Sequence, residues 1–258
     1  MSNTPTKIDP IRDRYFKPLE IAEVVADKLF YIAALLSFAA LLVDQHGYPT
    51  GYSIVLISFV LTVIIVFFLG LAVRLHWTPR AEDQRRLDLL SNAHGVPLTH
   101  EQTTGYYNND QTDPLKRLGV AVMENSHFSR AIALEMAKTE RIKVFVYLAL
   151  FAIVLLYRNT DLVIAVAAAQ AVFSEQIVSR WLRLEWLRVR CDNTYTHMYS
   201  IFQTSPNRST MNAKVLEYFT FYETGKANAG IMLSTKVFQK LNPSLSIEWE
   251  KIKTTLNI

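Results

Sequence analysis

The run Tyr52–Val73 reads YSIVLISFVLTVIIVFFLGLAV and carries no charge. Sixteen of its positions are Leu, Ile, Val or Phe. At roughly −0.3 to −0.6 kcal/mol each for insertion into a bilayer, they contribute on the order of −5 to −10 kcal/mol. A helix that is apolar on every face over this length is a membrane span in expectation, not a surface helix of a globular domain. Arg74, His76 and Trp77 follow it directly, residue types that prefer the boundary between lipid and water.

Three shorter apolar runs accompany it. Leu29–Val43 precedes it, across the turn-forming stretch DQHGYPTG. Val144–Tyr157 and Leu162–Ser174 come later, separated only by RNTD, and read as an antiparallel hairpin. Each of the three is short against a hydrocarbon layer of about 30 Å, so tilt or local thinning is required of them. This reading predicts an all-α membrane protein with four transmembrane helices in two hairpins. Its segments are a polar N-terminal arm (1–28), a first hairpin (29–73), a helical insert (74–143), a second hairpin (144–174), and a helical stalk and tail (175–258).

Charge orients that layout. The chain holds 27 Lys and Arg: five through Lys28, ten in 74–143, eleven after Ser174, one in 158–161 and none in 44–51. Lys and Arg stay on the cytoplasmic side of short connections, so both termini and the insert are expected in the cytoplasm of a multi-pass protein. The excess of four positive charges needs no nucleic-acid polymer to explain it. A single cysteine, Cys191, excludes an internal disulfide and a cysteine metal cluster.

Within the insert, a charged helix is expected from Arg80 to Asn92, stopped at Gly95 and Pro97. Asp113-Pro114 begins another, the Asp as cap and the Pro in the first turn. The tail is expected to hold helices around Lys214–Glu223 and Ile231–Leu241, and a last one beyond Pro243.

No constellation points to catalysis. Gly-rich phosphate loops and paired-His zinc helices are missing from the sequence, and Ser126 and His127 are neighbours that point apart on a helix. His94 and His100, beside Glu101, make a weak metal pattern. The expectation is a non-enzyme without cofactor or metal. A binding inventory is better represented. Arg85 and Arg86 are suited to an anion, Tyr106 and Tyr107 offer stacking faces, and Asn108, Asn109 and Asn125 are suited to base edges. The plain alternative has the arginines solvated, the tyrosines packed and the asparagines in turns. In the fourth run Gln170 stands among small residues, as an interhelical contact or a pore lining.

Three short motifs, D88LLSN, G105YYNN and E124NSHF, set in two helix pairs with a central insert, resemble the four-transmembrane effectors associated with SMODS nucleotidyltransferases. The resemblance implies an antiviral, pore-forming effector, multi-pass in a bacterial inner membrane, that binds a cyclic oligonucleotide made by a partner nucleotidyltransferase. It further implies homo-oligomerisation and permeabilisation of the lipid bilayer. The alternative is a non-enzymatic membrane scaffold or small transport component whose insert docks a protein.

Overall fold

The computed structural model describes residues 8–107, 109–156 and 175–258. Seven α-helices run through them: α1 Lys17–Leu42, α2 Pro49–Ala72, α3 Thr78–His94, α4 Pro114–Leu156, α5 Arg180–Thr204, α6 Arg208–Ala229 and α7 Thr235–Leu256. Short π-helical stretches lie at Arg12–Phe16, Val73–Trp77 and Glu175–Ser179. No strand occurs among the described residues. An isolated antiparallel bridge joins Ile8 and Thr104.

The chain divides into two compact units. One comprises 17–78 and 139–182, and the other 1–16, 79–138 and 183–258. In the first, α1 and α2 pack against each other. The turn between them is closed by Asp44, whose carboxylate accepts from the backbone N–H of His46 and Gly47, each at 3.0 Å. Pro49 opens α2, where its missing N–H costs nothing. Arg180 of α5 holds Asp27 of α1 at 3.0 Å.

Among the described residues, one helix is long and apolar enough to cross a membrane, the continuous stretch Pro49–His94. The four-span layout is therefore corrected. The apolar run of α1 starts only after Glu20, Glu23, Asp27 and Lys28, and the helix ends at Leu42. Its uncharged part rises about 20 Å, short of the roughly 30 Å needed. The third run likewise begins after Arg141 and Lys143, and α4 ends at Leu156. The fourth run and Gln170 lie outside the described residues.

The second unit has its own interior. Leu118, Val122, Met123, Leu187, Cys191, Met198, Phe202, Val215 and Trp249 form one buried cluster drawn from α4, α5, α6 and α7. With that core come buried ion pairs and hydrogen bonds that join distant parts of the chain. This unit, and the single candidate span among the described residues, overturn the expectation of a multi-pass, pore-forming inner-membrane effector with cytoplasmic termini. The scaffold or transport alternative loses the four-span layout on which it rested.

Local signals of the sequence operate as their chemistry requires. Asp113 caps α4, its Oδ1 accepting from Leu115 N at 3.1 Å and Lys116 N at 3.0 Å. At the end of α3, Gly95 takes φ +67°, its N–H bonded to Ser91 O. The tail differs from expectation. Helix α7 runs through Pro243 without a break: beyond the proline Leu245 and Trp249 are buried, and before it the Phe238 ring lies 6.2 Å from that of Phe128 on α4.

Candidate functional site

The binding inventory predicted for the insert lies within the second unit, and most of it is engaged with its own chain. Arg85, on α3, is nearly buried, and its Nη2 donates to both carboxylate oxygens of Asp9, at 3.0 and 2.8 Å. Its guanidinium lies 4.5 Å from the centre of the Tyr106 ring and 5.4 Å from that of Phe16. Two aromatic faces thus flank a cation that has little water around it, where a cation–π contact is worth the most. The segment carrying Asp9 is strapped down by several contacts. Ile8 and Thr104 exchange two backbone hydrogen bonds of 3.0 Å. Arg14 pairs with Glu101, Arg80 stacks over Tyr15, and Ile11 is wholly buried.

One turn along α3 lies Asp88. Its Oδ2 accepts from Thr103 Oγ1 at 2.8 Å and from the Tyr107 hydroxyl at 3.1 Å, and its Oδ1 from Thr103 N at 3.1 Å. A buried carboxylate satisfied by three donors fixes the loop 95–113 to the helix. The Tyr107 hydroxyl is held above its usual range by burial first and by the Asp88 charge second. The rings of Tyr106 and Tyr107 meet edge to face, with centres 4.9 Å apart.

A second charged cluster joins α3 to α6. Lys226 Nζ lies 2.9 Å from Glu82 Oε2 and 2.9 Å from Glu223 Oε1. Burial alone would depress the amine, but the two carboxylates outweigh it and keep Lys226 protonated well above its usual range. Burial pushes the Glu223 carboxyl upward despite the facing ammonium. The sequence reading singled out none of these three residues. Glu82 and Lys226 are 144 positions apart, so no local pattern pairs them.

The remaining predicted residues separate. Arg86 Nη2 donates to Asp83 at 2.7 Å on an exposed side of α3. Asn109 is buried and builds the turn before α4, its Nδ2 donating to Arg117 O at 3.1 Å and its Oδ1 accepting from Gln111 N at 3.3 Å. Asn125 is half-buried on α4. Asn108 lies outside the described residues. Arg85 and Tyr106, 21 positions apart, are thus predicted residues that the fold brings into contact, beside the neighbouring Tyr106 and Tyr107.

The groups weighed for chemistry are placed as follows. Ser126 Oγ donates to Met123 O at 2.9 Å in the interior. His127 is buried, its Nδ1 3.3 Å from Arg130 Nη2 and its Nε2 3.7 Å from Glu248 Oε2. Cys191 is a buried free thiol. Among the described residues no group of three His, Cys, Asp or Glu side chains is placed to hold a metal ion. In comparisons with known proteins, no family model, no curated protein and no solved structure matches the chain. The class is therefore defined by the fold alone: a helical protein with, among the described residues, one helix apolar enough to cross a membrane, and a charge-stapled helical unit.

Proposed function

We propose that this chain is a non-enzymatic helical binding protein anchored to a lipid bilayer through α2. The observation that supports this reading is the surface of that helix. Its apolar window has a mean hydropathy of 3.1, and none of that window is buried within the protein. Ile54, Ile57, Leu61, Ile64, Ile65, Phe67 and Phe68 are all exposed. A core helix of similar composition would be covered by its own chain. Exposure of this much apolar surface to water is unfavourable by about 25 cal/mol per Å², whereas hydrocarbon accepts it. The π-helical stretch Val73–Trp77 then places Arg74, His76 and Trp77, all exposed, at the end of the apolar stretch, as the edge of a lipid layer favours.

The non-enzymatic part of the reading is supported by how the candidate nucleophiles are used. Ser126 Oγ donates its hydrogen bond to a main-chain carbonyl, and burial pushes the Cys191 thiol up to about 12. Neither is poised to attack a substrate.

The test is flotation of the full chain with phosphatidylcholine vesicles, against a variant carrying Ile57→Lys and Ile64→Lys. The wild type is expected to float with the vesicles and to resist extraction at high pH, and the variant to remain at the bottom of the gradient. Equal flotation of both, or none by the wild type, overturns the anchor.

A further inference from the structure

The contact between Arg85 and Asp9 is not the side-on pairing in which two guanidinium nitrogens each meet one carboxylate oxygen. A single nitrogen, Nη2, takes both oxygens. The other terminal nitrogen, Nη1, is buried and has no hydrogen-bond partner among the described residues. A buried donor of a charged group without an acceptor is costly, and native proteins rarely keep one. As placed, the Asp9 carboxylate covers one terminal nitrogen and leaves the other for a further acceptor oxygen, which a tetrahedral anion supplies. The fork is also prepared for such a group: Tyr106, which lies outside the 8–16 segment, flanks it, and the limited water around it strengthens any charge-assisted bond.

The carboxylate occupying the fork is carried by the 8–16 segment, a strap separate in sequence from the helix it covers. Besides Asp9, it is attached by the Ile8–Thr104 bridge, the exposed Arg14–Glu101 pair, the Arg80–Tyr15 stack and the buried Ile11. We infer that Arg85 is an anion-binding side chain, that Asp9 is its internal stand-in, and that a tetrahedral phosphoryl group displaces the strap to engage both terminal nitrogens. Strap and ligand compete for one cation, so binding of the anion and release of residues 8–16 are a single linked equilibrium. The inference concerns the second unit only and stands whether or not α2 enters lipid.

Inorganic pyrophosphate, titrated into the full chain in detergent solution, is the first ligand to use. Asp9→Asn keeps the shape of the strap residue and removes its charge. The variant is expected to bind pyrophosphate about tenfold more tightly than the wild type if the strapped form outweighs the open one by that factor. Arg85→Gln is expected to abolish binding in either background. Ile8→Pro removes the N–H that bonds to Thr104 and loosens the strap without touching the carboxylate. It should tighten binding as well, and it serves if Asp9→Asn does not fold. A second titration, with phosphatidic acid in mixed micelles, presents the same group from a lipid. Binding of either form that is strengthened by strap variants and lost with Arg85→Gln supports the site, and their relative affinities identify its source. Binding that survives Arg85→Gln overturns the inference. So does a folded Asp9→Asn or Ile8→Pro chain that binds no more tightly than the wild type, or no binding by any of them.

Discussion

The hydroxyls of Ser129 and Tyr222 meet at 3.0 Å in the interior of the second unit, joining α4 to α6. Both residues are buried, and burial raises the Tyr222 phenol well above its usual range. Neither hydroxyl can turn to water if its partner is removed. Tyr222→Phe should therefore destabilise the unit by about 1–2 kcal/mol, chiefly by leaving Ser129 unsatisfied. Adding Ser129→Ala to Tyr222→Phe should cost less than the sum of the two single changes. Urea unfolding of the four proteins in a double-mutant cycle measures the coupling, and an additive result would show that the hydrogen bond does not form.

Gly119 makes a different kind of contact. A methyl group placed on it would lie 2.9 Å from Val215 Cγ2 and 3.0 Å from Phe202 Cζ. The glycine lets α4 approach α6 and the end of α5 closely. Alanine would favour the helix by about 1 kcal/mol, but forcing it into a filled core costs about 1–3 kcal/mol. Gly119→Ala is expected to lower stability despite its better helix propensity. Val215→Ala removes the nearest atom but leaves Phe202 Cζ at 3.0 Å, so it should make the same change cost less. The smaller penalty in that background, read from denaturant midpoints, is the check.

What could be read from residue order was what neighbouring residues decide. Asp113 caps α4 and Gly95 closes α3 because each acts within a turn of its own position. The apolar α2 was likewise readable, since its composition alone sets its length. The count of spans was not, because Glu20, Asp27, Lys28, Arg141 and Lys143 cut the uncharged lengths of α1 and α4 below what a bilayer needs. Pro243 misled for a related reason: tertiary packing of α7 holds the helix through a residue that would end it in isolation. In the candidate site, Arg85 and Tyr106 were identifiable as residue types. The carboxylate on Arg85 comes from 76 positions away, which only the folded chain reveals.

His127 ties stability to pH. Burial, and next the nearby Arg130 cation, hold its imidazole below the ordinary value of 6.5, against the opposing pull of Glu248. Tyr195 and Trp249, with ring centres at 5.3 and 6.3 Å, complete its surroundings. The unfolded chain takes up this proton more readily than the folded one. The contribution is therefore present above pH 6.5 and is lost as pH falls through the depressed folded value. Glu223, with its raised carboxyl, acts in the opposite sense on acidification. The diagnostic quantity is accordingly a difference. His127→Gln should lose less stability than the wild type between pH 7 and pH 5 in parallel urea titrations. Identical slopes would mean that the histidine protonates equally easily in both states.

Cys191 reports on the tightness of the same core. It is the chain's one cysteine, fully buried in α5 among Leu187, Met198 and Tyr222 of the cluster. Burial pushes its thiol up to about 12, so at pH 8 the folded protein holds almost no thiolate, the form that reacts. A disulfide reagent such as DTNB should label the native chain only as fast as the unit opens. In denaturant it should release one equivalent at once, because an exposed thiol has a pKa near 8.5. Tyr222→Phe and Gly119→Ala, which loosen the helices around it, should both speed labelling of the native state. Labelling of the native wild type at the rate of a free thiol would place Cys191 at the surface and contradict the packing of α5 against α4 and α6.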